Sequence, residues 1–394
     1  MARKGKAAKA STGAVTGAVT GAVPDSNRVP LARAAELGIL QVLDRDGAPT
    51  GNLPDPALEA AQVVRMYEAM VMVRAIDERG WQLQRSGRVE FWIPTRGIEA
   101  VHVASTCAMA PADWIFLGYR HPGSMLLRGG SLTRLFAQFF GRPDEPLKGR
   151  RLPTLVGDRA LNIVPLITVV GSYIPHACGA AWAAKLKGDD TRFIVYFGDG
   201  ATSRGEFHSA MNFAGIHKPP IIFLCDNNGW AVSTPTSVQT ASATFAEKGD
   251  AYGVPNLRVD GNDPLAVYRV TAEARARAAT EGPTLIEAVT YRTGFHTSSD
   301  NPDLYRTEDE VKAWEAWDPL MRTRRYLERL GHWSEADEAA LWERCKGEIQ
   351  EAVEAAEALP LPAPETQFDD VFAEPTWPLE EQRAALLAEL EEGD

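Results

Sequence analysis

The chain has 394 residues, 45% of them hydrophobic, a formal net charge of -12 and a pI near 5.2. That length allows two average domains or one large α/β domain with extensions, and the apolar content is ample for a core. The acidity disfavours nucleic acid as a partner, and the scattered cysteines (Cys107, Cys178, Cys225, Cys345) argue against a disulfide framework and for a reducing compartment, taken here as the cytoplasm.

Residues 1–30 read as a disordered low-complexity tail. Arg3, Lys4, Lys6 and Lys9 precede three copies of Thr-Gly-Ala-Val between Thr12 and Val23. The lack of acids before Asp25 is weakly similar to an organelle transit segment, but the composition favours a flexible tail. After a lead-in over 31–60, Ala60 to Ser86 carries helical periodicity in Val63, Met66, Met70, Val73 and Ile76. No apolar stretch reaches membrane-spanning length; the longest, Leu161 to Pro175, is interrupted by Asn162, Pro165 and Gly171, so no membrane association is expected.

Strand-like runs follow at Trp114 to Leu117, Phe193 to Phe197, Ile221 to Cys225, Leu257 to Val259 and Leu285 to Tyr291. Helical stretches at Ala177 to Lys187, Phe207 to Ala214 and Pro264 to Thr280 alternate with them. The alternation predicts a doubly wound α/β fold with a mainly parallel sheet over 61–320. From Val311 the chain turns Glu/Ala-rich and amphipathic, so 321–394 is expected to form a helical C-terminal extension, interrupted by Pro360 to Pro364.

The strand ending at Phe197 runs into Gly198-Asp199-Gly200, and the next apolar run ends in Asn227-Asn228. If the two strands are parallel neighbours, Asp199 and Asn228 emerge side by side at the carboxyl edge, where open α/β sheets bind ligands. A carboxylate, an amide oxygen and a nearby main-chain carbonyl make a hard, all-oxygen half-shell suited to Mg²⁺, with diphosphate and water completing it. An ordinary βαβ turn with a solvated Asp is the alternative.

The Gly-Asp-Gly to Asn-Asn arrangement resembles the thiamine diphosphate motif. From about Asp44 to Leu390 the chain is similar to the alpha subunit of the first, decarboxylating component of 2-oxo acid dehydrogenase complexes. The resemblance rests on Gly97-Ile98-Glu99-Ala100, Gly118-Tyr119-Arg120, Ile174-Pro175 before Gly179-Ala180-Ala181, Ser233-Thr234-Pro235, Val259-Asp260-Gly261 and Tyr291-Arg292-x-Gly294-x-His296. It implies thiamine diphosphate and Mg²⁺ as cofactors. Arg120, supported by Tyr119, would meet the pyrophosphate, helped by a helix N-terminus after Gly200. Asp199, Asn228 and the main-chain carbonyl of Trp230 would hold the metal, and Thr168, Gly198, Gly200 and Ala201 complete the cofactor contacts. Val170 would prop the thiamine in its bent form, and Phe91 would line the substrate pocket, although both also suit plain core packing. His296, in a polar loop, would touch the diphosphate and assist acyl transfer to lipoyl-lysine. Thr297 to Ser299 match a loop phosphorylated in mitochondrial relatives, here expected to be a flexible polar loop without phosphorylation.

Departures from the family pattern limit the transfer. Asp226 stands where several branched-chain relatives carry a phosphate-binding Arg, Ile167 and Tyr173 replace potassium-holding polar residues, and Trp230 replaces Tyr or Phe. No potassium site is therefore expected. The implied activity is oxidative decarboxylation of a 2-oxo acid, with pyruvate slightly favoured over branched-chain acids such as 2-oxoisovalerate. The implied partners are a beta subunit, in an α₂β₂ heterotetramer that supplies the Glu activating the cofactor, and the lipoyl acyltransferase component. A nicotinamide oxidoreductase fits poorly, because Ser203 stands where a third glycine of Gly-x-Gly-x-x-Gly is needed, and a silent interaction subunit would lack the metal ligands or His296.

Overall fold

The computed structural model describes residues 29–144 and 146–392; the tail assigned to 1–30 lies outside them except for its last two residues. Seven parallel strands form one sheet in the order β1-β8-β9-β5-β4-β2-β3. These are β1 (Ile39–Leu40), β2 (Trp114–Phe116), β3 (Ile163–Val164), β4 (Phe193–Gly198), β5 (Ile221–Asn227), β8 (Asn256–Asp260) and β9 (Thr284–Val289). Strands β6 (Trp230–Ala231) and β7 (Thr234–Pro235) form a separate antiparallel hairpin. The five strands expected from the sequence are all present, while the two-residue edge strands β1 and β3 are too short to leave a periodic signal.

Because side chains alternate along a strand, the central strands feed two cores. Ile194, Tyr196, Ile222 and Leu224 enter one with α1 (Ala60–Arg85), α2 (Glu99–Ala108), α3 (Gly123–Leu127), α4 (Leu132–Phe139) and α7 (Pro264–Ala278). Val195, Phe197, Phe223 and Cys225 enter the other with α5 (Tyr173–Lys187) and α6 (Gly205–His217). Helices therefore cover both faces, as the alternating pattern predicts. All four cysteines are free thiols.

Local chemistry sets the helix ends. Asp263 caps α7, its Oδ1 accepting from the Leu265 and Ala266 amides, and Pro264 supplies a fixed φ at the first position. Its Oδ2 accepts from the Val42 and Leu43 amides, so one carboxylate ties the chain after β1 to the helix following β8.

Beyond the sheet come α8 (Glu308–Glu315), α9 (Pro319–Arg329), α10 (Glu335–Glu357) and α11 (Trp377–Glu392). Leu320, Leu327, Leu341, Ile349 and Val353 of α9 and α10 belong to the same core as α1. Arg322 is fully buried, 2.6 Å from Asp260 at the end of β8 and stacked on Trp317. Helix α11 differs: it has no buried residue, and Trp377 at its start is 74% exposed. No helix among the described residues is long and apolar enough to cross a membrane.

Candidate cofactor and active site

Gly198 pairs with Asp226 across β4 and β5, which brings Asp199 and Asn228 to the same carboxyl edge, both buried. They open onto a cavity of about 420 Å³ that is also lined by Phe91, Tyr119, Thr168, Val170, Gly198, Gly200, Ala201, Trp230 and His296. The structure thus collects every site residue expected from the sequence except Arg120 around one cavity. Leu152, Leu155, Leu166 and Ile93 add apolar lining.

Three features differ from expectation. The segment after Gly200 is a 3-10 turn, Asp199–Ser203, and α6 begins only at Gly205, so no α-helix N-terminus sits directly behind the motif. Arg120 is buried behind the cavity rather than lining it. Its NH2 donates to His296 Nδ1 at 3.0 Å and to the His296 carbonyl at 2.8 Å, and its NH1 donates to the Pro94 carbonyl. Its Nε is buried without a partner among the described residues, a donor left over for an anion. Finally, the His296 loop is pinned. The His296 amide donates to Asp300 Oδ2 at 2.7 Å, Phe295 stacks on Trp81, and Ser298 is bonded to Trp92 through its amide and its hydroxyl.

Arg292 was read only as a landmark, yet its NH1 reaches His296 Nδ1 at 2.8 Å. Guanidinium groups only donate, so Nδ1 accepts from both arginines and the neutral ring carries its proton on Nε2. Burial first, then the charges of Arg120 and Arg292, push the imidazole down to about 3, and it stays neutral at physiological pH. Two other contributors escaped the sequence. Gln239 donates to Asp199 Oδ2 at 2.5 Å. Asp77, on the apolar face of α1, accepts from Trp92 Nε1 and from the Thr95 and Arg96 amides, and so holds the loop that carries Phe91 and Pro94. An acid at helical spacing with Met70, Val73 and Gly80 was the available signal.

The residues present fit a metal-bound diphosphate. Burial raises the Asp199 carboxyl to about 6, a penalty that a bound cation would reverse. Asn228 Oδ1 has only a long, 3.4 Å bond from the Trp230 amide. A Cβ on Gly200 would stand 2.7 Å from the Ala231 side chain, so only glycine lets the hairpin lie against the motif. No group of three or more His, Cys, Asp or Glu among the described residues is placed to hold a metal, and a site using one carboxylate, one amide and one carbonyl needs none.

Beneath this edge lies a second polar cluster. His121 Nε2 is 3.8 Å from Asp226 Oδ2 and its ring sits 5.4 Å from that of His102, all three residues buried. Burial holds His121 down at about 3 and raises Asp226 to about 7, so the contact is not a conventional ion pair despite its distance. Unfolded His121 titrates near its ordinary value of about 6.5, so below that pH the unfolded chain binds a proton the folded chain refuses. The stability this residue contributes is therefore complete above that value and is lost as pH falls. The stability difference between wild type and His121→Gln should shift toward the variant by about 1.4 kcal/mol per pH unit below 6.5. Urea denaturation at pH 7 and pH 5 checks it, and an unchanged difference would show the ring to be protonated in the fold.

The comparisons with known proteins agree with this class of α/β cofactor subunit. Residues 67–365 match the family described as dehydrogenase E1 component. The chain is 40% identical over 360 residues to the mitochondrial 2-oxoisovalerate dehydrogenase subunit alpha 2 of Arabidopsis thaliana, covering 91% of this chain and 75% of the relative. It is 39% identical to the mitochondrial subunit alpha of Homo sapiens over 355 residues, 90% of this chain and 80% of that protein. The Caenorhabditis elegans counterpart is 39% identical over 358 residues, 90% and 83% of the two chains. The chain belongs to the dehydrogenase E1 component family, on the alpha-subunit side of 2-oxo acid dehydrogenase complexes.

These names correct the expected cytoplasmic location, since the relatives are mitochondrial proteins. Free thiols and an acidic balance do not separate one reducing compartment from another. The lean toward pyruvate finds no support either, because these relatives are named for 2-oxoisovalerate.

Proposed function

We propose that this chain is the alpha subunit of a branched-chain 2-oxo acid dehydrogenase, acting on 2-oxoisovalerate and similar acids with thiamine diphosphate and Mg²⁺. The observation that carries the reading is the mixed lining of the cavity: Asp199, Asn228, Trp230 and His296 together with the apolar Phe91, Ile93, Leu152 and Leu155. Relatives named for 2-oxoisovalerate support the branched-chain choice. When bound, thiamine diphosphate supplies the electron sink for decarboxylation.

Asp199, Asn228 and the Trp230 carbonyl would hold Mg²⁺, and Arg120, whose Nε–H has no partner among the described residues, would turn from behind the cavity to meet the diphosphate. His296, neutral and fixed by two arginines, offers an Nε2–H to the reacting oxygen or sulfur during acyl transfer to lipoyl-lysine. The apolar lining excludes water and receives the aliphatic substrate chain. A turnover panel of 2-oxoisovalerate, 2-oxobutyrate and pyruvate with the beta subunit present tests the choice. Since one methylene discriminates by only about 1–3 kcal/mol, overlapping activity is expected, with 2-oxoisovalerate first. Pyruvate ranking first in kcat/KM would overturn it.

The partners in this reading are a beta subunit, in an α₂β₂ assembly, and the lipoyl acyltransferase. The described cavity offers no Glu for the pyrimidine side of the cofactor, so purified chain alone should have negligible decarboxylase activity. Substantial turnover by a preparation shown by mass spectrometry to lack the beta subunit would contradict that assignment.

A further inference from the structure

We propose that Gln239 is a positioning residue that locks the Asp199 carboxylate and the Trp230 hairpin into one metal-binding edge; the proposal rests on the metal-site reading given above. Gln239 follows the 3-10 turn Thr236–Val238, which folds back from the β6–β7 hairpin toward β4. Its Nε2 reaches two acceptors, Asp199 Oδ2 at 2.5 Å and the Thr234 carbonyl at 3.0 Å. Thr234 pairs with Ala231, and Pro235 with Trp230. One side-chain amide therefore joins the carboxylate at the end of β4 to the strand opposite the carbonyl that completes the metal set.

The hairpin needs such a tie. Its turn passes through Val232 at φ +57, a left-handed conformation that a β-branched side chain adopts only under constraint. Arg292 NH2 donates to the Val232 carbonyl at 2.8 Å and holds one end; Gln239 holds the other. The bond to Oδ2 also fixes the carboxylate rotamer and leaves Oδ1 for a cation. Gln239 Oε1 is buried and has no partner among the described residues. Any water completing the octahedral shell of Mg²⁺ needs acceptors for its protons, and Oε1 is an unused acceptor at this edge.

Groups that orient a metal ligand usually cost about 10–100-fold in metal affinity when removed. Gln239→Met keeps length and volume but removes both donors and the acceptor. In the assembled enzyme stripped of cofactor, Mg²⁺ is titrated at saturating thiamine diphosphate and followed by tryptophan fluorescence, with the Tm of the stripped protein measured alongside. The expected result is a loss of Mg²⁺ affinity of about 10–100-fold at unchanged Tm. Should Gln239→Met not fold, Gln239→Asn, too short to span both acceptors, makes the same comparison. Wild-type Mg²⁺ affinity in the variant overturns the proposal, as does a fall in Tm that accounts for the weaker binding. If the wild type itself shows no Mg²⁺-dependent cofactor binding, the metal-site reading fails first and takes this inference with it.

Discussion

Asp199→Ala and Asn228→Ala should each abolish Mg²⁺-dependent thiamine diphosphate binding while leaving the fold intact. Folding gains little from either polar group. The Asp199 carboxyl is raised to about 6 because burial disfavours its charge, so its ionised form is a cost to the cofactor-free protein. The Asn228 amide oxygen accepts only a 3.4 Å bond from the backbone two residues on. A divalent cation changes the balance, because each oxygen then supplies a coordination bond that nothing nearby replaces. A ligand present at one hundred times its Kd stabilises the native state by about 2.7 kcal/mol, so the thermal shift seen with wild type should vanish in both variants. Calorimetry finding unchanged cofactor affinity in both would remove the metal assignment.

His296→Ala should slow lipoyl acylation by about 10²–10⁴-fold, the usual contribution of a placed proton donor, and change cofactor affinity far less. Removing the imidazole frees the Arg120 and Arg292 donors that now point at Nδ1, and both guanidinium groups can turn to the diphosphate. The ring is neutral down to about pH 3, so this residue should cause no loss of acylation rate between pH 7 and pH 5. Single-turnover acylation of a lipoyl domain at saturating cofactor, paired with a fluorescence titration of thiamine diphosphate, separates the two effects. An unchanged rate with weakened binding would make His296 an anchor and nothing more.

The legible parts of this protein are those in which one segment decides its own fate. β4 and β5 are continuous apolar runs, and Gly-Asp-Gly and Asn-Asn lie at their ends, so strand type and the shared carboxyl edge of Asp199 and Asn228 could be read together. Gln239, Arg292 and Asp77 act through partners distant in sequence. Gln239 is forty residues from Asp199, and only the hairpin turn brings them together. Arg120 shows the converse limit: its presence at the site was legible, but its side-chain direction depends on Pro94 and on a loop 176 residues away. A helix N-terminus after Gly200 was expected from the helical stretch Phe207 to Ala214, yet the chain uses a 3-10 turn first, with the Thr202 hydroxyl bonded to the Asp199 carbonyl.

Helix α11 has a consequence for how the molecule moves. Its sixteen residues rest on no core, and isolated helices of about that length are marginal in water, because tertiary burial and not propensity holds most protein helices. The preceding segment is moored at one spot, where Lys148 and Arg150 grip Asp370 and Arg150 also reaches the Thr366 carbonyl. Beyond that mooring the backbone hydrogen bonds of α11 open without disturbing the sheet. Its amide protons will therefore trade with deuterium long before those of β4 and β5, so exchange in this helix reports a local opening that leaves the sheet closed.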